Sequence, residues 1–277
     1  ALTAFIAIAL PESNPQNYEP FMPTGFSGVF MAAATIFFAY VGFDAVSTAA
    51  EETKDPQRNM PIGIIGSLAI CTIFYLLVAA AMIGSVGAQP GGGLAQSAEP
   101  LAYVMRSIGW PVAGDWIATA AILALPSVIL MMIYGQTRIF FVMSRDGLLP
   151  AVFSKIHPRW NTPYVVTIIT GLFVSLFAAL FPVGKLADIS NSGTLFAFFL
   201  VSLAVLVLRK TQPERYRPFR TPAVMIICPL AMAGCAFLFF NLSGYTELMF
   251  LAWALVGLVV YYLYGYRRSH LANGTTG

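Results

Sequence analysis

The chain is a succession of long apolar stretches separated by short polar loops rich in proline, glycine and asparagine. Seven stretches are about 20 residues long or longer, the length at which an α-helix crosses roughly 30 Å of hydrocarbon. They predict membrane spans at 27–50, 62–86, 112–143, 163–181, 189–208, 223–242 and 246–266. The apolar run 1–10 covers only about 15 Å as a helix, and we interpret it as the end of a truncated transmembrane helix.

The composition supports an all-α integral membrane protein built as a helical bundle. Hydrophobic residues make up 58% of the chain and charged residues 10%, whereas soluble domains carry about 25% charged residues. A membrane β-barrel would show alternating segments of about ten residues instead. The net charge of +3 is too small to indicate binding of nucleic acid.

The chemistry of an enzyme is not visible in the sequence. The two histidines and three cysteines lack the spacing of metal ligands, and no glycine-rich phosphate loop is present. Neither histidine lies in a predicted span, which disfavours an intramembrane hydrolase. We therefore expect no enzymatic activity, no metal and no cofactor.

Lysine and arginine are distributed unequally between the two sets of alternate loops. One set holds 13 of the 15 basic residues, and the other holds only Arg106 and Lys185. Because cytoplasmic loops are enriched in basic residues, the first set is predicted to be cytoplasmic. The interpretation is a multi-pass protein of the plasma membrane with a cytoplasmic tail at 267–277 and an external loop at 11–26.

The first span contains a carboxylate within a largely apolar run. Asp44 lies where a charge near the bilayer centre would cost at least about 2.5–3.5 kcal/mol, so such residues are usually functional. The preceding residues 40–43 are aromatic, β-branched or glycine, which weakens a helix. A break there would free carbonyls between 38 and 41, and together with the carboxylate they would suit a cation. Two alternatives remain: the span ends near Phe43 and leaves Asp44 in the headgroups, or Asp44 only bonds a neighbouring helix.

Two further features have both a structural and a functional interpretation. The charged cluster after the first span is either a solvated helix end or a cytoplasmic gate; the candidate gate residues are Glu51, Glu52, Lys54 and Arg58. In the third span, Pro126 removes a backbone hydrogen bond and Ser127 adds a hydroxyl. This pair is either a simple kink or a coupling site.

Three blocks of sequence resemble the amino acid–polyamine–organocation permeases, and most closely the cationic amino acid transporters and their bacterial relatives. They read GFDAVSTAAEETKDPQRNMP at 42–61, YGQTRIFFVMSRDGLLP at 134–150 and RPFRTP at 217–222. The resemblance implies part of a transporter fold with two inverted repeats of five helices. Residues 1–10 would end helix five, 27–208 would hold the five helices of the second repeat, and 223–266 would form the two C-terminal helices.

The resemblance also implies a site and an activity. In the family, substrate binds between two broken helices, and the second break would lie at 38–44 of this chain. Matching the motif assigns the substrate's amino group to the carbonyls of Phe38 and Val41 and the carboxylate of Asp44. Near Ser127 the sequence departs from the small-residue stretch of the family.

The expected activity is secondary-active amino acid transport, by proton-coupled symport. An antiporter and a permease-derived amino acid sensor are the alternatives. The implied partners are an amino acid, protons, membrane lipids and the missing N-terminal helices of the same protein.

Overall fold

The computed structural model describes residues 1–48, 53–89 and 91–268, without the side chains of Val46, Thr48 and Arg267. Within these ranges the chain is helical and forms no β-strand. The helices are α1 (Leu2–Ala9), α2 (Gly25–Ile36), α3 (Ala45–Thr48), α4 (Pro56–Val86), α5 (Gly93–Gln96), α6 (Pro100–Ser107), α7 (Pro111–Arg145), α8 (Tyr164–Leu180), α9 (Val183–Thr211), α10 (Val224–Phe239), α11 (Gly244–Val260) and α12 (Tyr266–Arg268). Short 3₁₀ turns occupy Pro15–Tyr18, Phe37–Tyr40 and Ala151–Ser154, and a π-helical turn, Tyr261–Gly265, joins α11 to α12.

The apolar helices match the predicted membrane spans. In the described ranges, four are long and apolar enough to cross a membrane, namely α4, α7, α9 and Gly244–Gly265. Three shorter apolar helices, Gly25–Tyr40, Tyr164–Leu180 and Val224–Phe239, account for the remaining predicted spans. The all-α membrane fold is therefore confirmed.

Helix ends differ from the predicted span ends because hydropathy locates the hydrocarbon and not the helix terminus. Helix α4 begins at Pro56 rather than at 62, since proline suits the first helical position. Pro61 lies inside that helix. Helix α9 begins at Val183 rather than at 189, and its first two turns carry Lys185 and Asp188.

Ala1–Val29 and Gly63–Leu130 form one compact unit. The side chain of Asn17 donates to the Gly84 carbonyl at 2.7 Å, and the Tyr18 hydroxyl donates to the Ala80 carbonyl at 2.9 Å. These bonds hold the loop between α1 and α2 against the end of α4. The apolar core of this unit consists of Phe5, Ala9, Ala81, Val104, Met105 and Ile117.

Phe30–Ile62 and Met131–Gly277 form the second unit. Here α9 packs against α10 and α11, around a core that includes Ala34, Leu195 and Leu242. An edge-to-face contact joins Phe30 to Phe237, with the ring centroids 5.0 Å apart. The middle of α2 is thereby packed against α10.

The block at 217–222 has a structural role at the end of α9. The Arg217 guanidinium donates hydrogen bonds of 2.8–3.3 Å to four backbone carbonyls, those of Leu208, Gln212, Pro213 and Arg215. The last carbonyls of a helix lack intrahelical donors, and a cation also suits the helix C-terminus. Arg217 therefore caps α9 and fixes the loop that follows it.

Candidate substrate site at a broken helix

The first predicted span is interrupted where the sequence pattern predicts a break. After α2 ends at Ile36, the 3₁₀ turn Phe37–Tyr40 leads into Val41, which is extended at φ −62° and ψ 129°. Gly42 follows with φ 123°, a conformation that residues with a Cβ rarely adopt. Helical structure resumes at Ala45. A broken helix within 38–44 is therefore confirmed, whereas the depth of Asp44 in the bilayer, including the alternative of a span ending near Phe43, stays a prediction.

The carboxylate of Asp44 folds back over the break. Its Oδ1 accepts a hydrogen bond from the Gly42 amide at 3.1 Å, and the side chain is half-buried. In the part of the chain that the structure describes, Asp44 Oδ2 accepts no hydrogen bond. One carboxylate oxygen thus organises the turn, and the other is available to a ligand.

The two carbonyls assigned to the site differ from each other. The Phe38 carbonyl, which the sequence pattern predicts to be free, accepts the Val41 amide at 3.1 Å and keeps one lone pair. Among the described residues, no backbone amide donates to the Val41 carbonyl. The break therefore presents three acceptors, namely these two carbonyls and Asp44 Oδ2, which suit an ammonium group or another cation.

Apolar side chains adjoin the break. The ring of Phe198, on α9, lies 5.5 Å from that of Phe43 and 6.2 Å from that of Phe37, measured between centroids. At Gly42, a Cβ built on the backbone would lie 2.9 Å from Met132 Cε on α7. Apolar surroundings lower the local dielectric, which strengthens an ion pair or hydrogen bond at Asp44.

The other candidate residues have a different standing. Glu51 and Glu52 lie outside the described residues, and Lys54 and Arg58 are exposed, so a cytoplasmic gate stays a prediction. Helix α7 runs through Pro126 as one continuous helix.

The hydroxyl of Ser127 donates to the Ala124 carbonyl in its own helix at 2.7 Å, and the residue is exposed. A coupling role for Pro126 or Ser127 also stays a prediction.

One buried polar residue at the break was not identified from the sequence. Asn191, on α9, is fully buried and donates to the carbonyls of Ala34 and Thr35 at 3.2 and 3.3 Å. An asparagine in a predicted membrane span is a signal of a polar contact. The sequence pattern does not reveal that the partner lies in α2.

A separate cavity of about 390 Å³ lies among α9, α10 and α11. Its lining is apolar apart from Glu247 and includes Phe196, Phe199, Phe239 and Phe250. Glu247 gives this cavity one carboxylate, whereas the break combines a carboxylate with two backbone carbonyls and so offers an ammonium group more acceptors.

Comparison with known proteins gives a consistent result. The family model for amino acid permeases matches residues 1–263. The branched-chain amino acid permease BcaP of Bacillus subtilis (strain 168) is 48% identical over 267 residues, covering 96% of this chain and 57% of that protein. The methylthioribose transporter of the same organism is 42% identical over 268 residues, with the same coverage of both chains.

A plant relative is similar over a shorter region. The vacuolar cationic amino acid transporter 4 of Arabidopsis thaliana is 40% identical over 200 residues, which is 72% of this chain and 32% of that protein. The chain thus spans little more than half the length of the two bacterial relatives.

Proposed function

The chain belongs to the amino acid permease family, and on that premise we propose that the complete permease, a protein of full family length containing this chain, carries amino acids across a membrane. The observation that carries the proposal is the broken helix with Asp44 folded over it. Family membership and the multi-pass helical fold support transport rather than catalysis.

The proposed role of the break is to bind the substrate's ammonium group. An ammonium has three N–H donors, and the break offers Asp44 Oδ2, the Val41 carbonyl and the second lone pair of the Phe38 carbonyl. Hydrogen bonds to a charged group contribute about 1.5–3 kcal/mol each. The substrate's carboxylate needs donors, such as those at a half-helix N-terminus. We assign these donors to the N-terminal helices of the complete permease.

Proton-coupled symport at the plasma membrane, with the C-terminal tail in the cytoplasm, is the proposed mode. The basic residues of the predicted cytoplasmic loops support this orientation. Exchange of one amino acid for another and permease-derived sensing are the alternatives. Uptake driven by an imposed proton gradient supports symport, uptake that requires amino acid inside the vesicle supports exchange, and binding without transport supports sensing.

A second candidate substrate follows from one of the relatives. Methylthioribose, named for a protein 42% identical to this chain, is a thio-sugar without an ammonium group. A site for such a ligand would not need the negative charge of Asp44. The effect of neutralising Asp44 therefore separates the two substrate classes.

The experiment is uptake by the purified complete permease in proteoliposomes. Labelled branched-chain amino acids, cationic amino acids and methylthioribose are supplied in parallel under a proton gradient. Saturable uptake of one or more amino acids is expected. Uptake of methylthioribose alone, or of none of the compounds, would overturn the proposal.

A further inference from the structure

The side chain of Asn191 connects α9 to the last turn of α2. Its Nδ2 donates to two successive carbonyls, those of Ala34 at 3.2 Å and Thr35 at 3.3 Å. These residues are 157 and 156 positions earlier in the chain, respectively. Both Asn191 and Ala34 have no exposed surface. The contact is therefore a buried tertiary bond directly before the break.

The contact lies where the helix type changes. In a continued α-helix, the carbonyls of Ala34 and Thr35 would accept from the amides four residues later. The 3₁₀ turn Phe37–Tyr40 begins within that span and favours bonds three residues apart, with poorer geometry. Backbone groups at membrane depth have no water to compensate for a weakened bond. The amide of Asn191 supplies an additional donor where the two helix types meet.

The neighbouring Ser192 shows that this contact is specific to Asn191. Ser192 is equally buried, but its hydroxyl donates to the Ile189 carbonyl within its own helix at 2.7 Å. Asn191 Oδ1 has no hydrogen-bond partner among the described residues. Burial of this amide is therefore compensated only through its contact with α2.

We propose that Asn191 is a positioning residue, which fixes the end of α2 on α9 and so holds the carbonyls of the break and Asp44 in place for substrate. This inference rests on the proposed function for its effect on transport, but the tether itself does not. Phe198, two turns after Asn191 on α9, contacts Phe37 at the start of the 3₁₀ turn and Phe43 beyond its end. The same face of α9 thus supports both the start of the break and its far end.

The tether is tested by hydrogen–deuterium exchange of the purified complete permease in lipid nanodiscs. Asn191→Leu removes the donor with little change in size, and Asn191→Ser is a second variant whose hydroxyl is too short to reach α2. Exchange of the amides at 37–41 is expected to become about fivefold faster in both variants. Ser192→Ala is the matched control and should leave this exchange unchanged.

The consequence for transport is measured on the same proteins in proteoliposomes. KM is expected to rise about fivefold or more in the Asn191 variants, while Vmax per reconstituted molecule changes less than about twofold. Asn191→Gln, which keeps the amide donors, should restore part of the affinity. A purely structural role would instead reduce the amount of folded protein and leave KM unchanged.

The outcomes separate the two proposals. Unchanged exchange and unchanged KM in Asn191→Leu, or equal changes in Ser192→Ala, would overturn the role of Asn191. If exchange accelerates but even the unsubstituted protein transports no amino acid, the tether stands and the proposed function fails.

Discussion

Replacing Asp44 with asparagine removes the charge of the proposed site while keeping its local fold. Asp44 Oδ1 accepts the Gly42 amide at 3.1 Å, and an asparagine oxygen can accept the same bond. Oδ2, the oxygen without a partner among the described residues, becomes an NH₂ group. That group donates hydrogen bonds and so opposes an ammonium. The substitution therefore tests the ligand contact and not the turn.

The expected loss follows from the energy of one charge-assisted contact. Such a hydrogen bond contributes about 1.5–3 kcal/mol, and about 1.4 kcal/mol corresponds to a factor of ten. The half-buried position of Asp44, and the apolar side chains of Phe43 beside it and Met132 at Gly42, favour the upper part of this range. We expect Asp44→Asn to lower amino acid uptake at subsaturating substrate by about tenfold to a hundredfold.

The assay is initial-rate uptake by the complete permease in proteoliposomes, normalised to the amount of reconstituted protein. Asp115→Asn is the matched control, since it also removes one carboxylate, but from an exposed pair with Arg106. The control should transport like the unsubstituted protein. Normal uptake by Asp44→Asn would refute the reasoning and leave Asp44 with a structural role.

Three further predictions address the orientation of the chain in the membrane, the backbone conformation of Gly42 and the loop after α9. In a background without native cysteines, an impermeant thiol reagent applied to intact cells should label a cysteine introduced at Asn17 but not one introduced at Ser269. The reason is that the basic loops are predicted to be cytoplasmic. The opposite labelling would contradict the predicted orientation. Gly42→Ala should lower uptake about fivefold or more, because a Cβ at φ 123° introduces strain of about 1–3 kcal/mol and also meets Met132. Gly66→Ala is the control, since a Cβ there meets open space on α4 and should leave uptake unchanged. Equal activity of both variants would contradict the prediction. Arg217→Ala should accelerate cleavage of the loop after α9 by proteinase K. Arg217→Lys should protect this loop only in part, because lysine lacks the guanidinium fork. Unchanged cleavage in Arg217→Ala would argue against the capping role.

The sequence predicts the break because its causes are local. Gly42 adopts a φ that other residues avoid, the residues around it are weak helix formers, and Asp44 lies two positions away. The seven apolar helices are predictable for a similar reason, because the length and hydrophobicity of each stretch are enough to indicate a membrane span. The hydrogen bond between the Phe38 carbonyl and the Val41 amide is harder to predict, because composition does not distinguish a 3₁₀ turn from a frayed α-helix.

The tertiary contacts of the site cannot be predicted from local sequence patterns. Asn191 is visible in the sequence as a polar residue in a span, but its partners in α2 are more than 150 positions away. The capping role of Arg217 cannot be predicted from the sequence either. A block of basic residues in a loop is already explained by the enrichment of lysine and arginine in cytoplasmic loops. The four bonds of Arg217 to the end of α9 become apparent only once the chain folds back.

The most direct measurement compares an amino acid with the hydroxy acid in which a hydroxyl replaces the ammonium group. Both compounds compete for labelled amino acid uptake by the complete permease, with Asp44 intact and with Asp44→Asn. The account predicts that the intact protein prefers the amino acid by about tenfold or more, and that Asp44→Asn loses most of this preference. A preference of the same size in both proteins would contradict the claim that Asp44 binds the ammonium group.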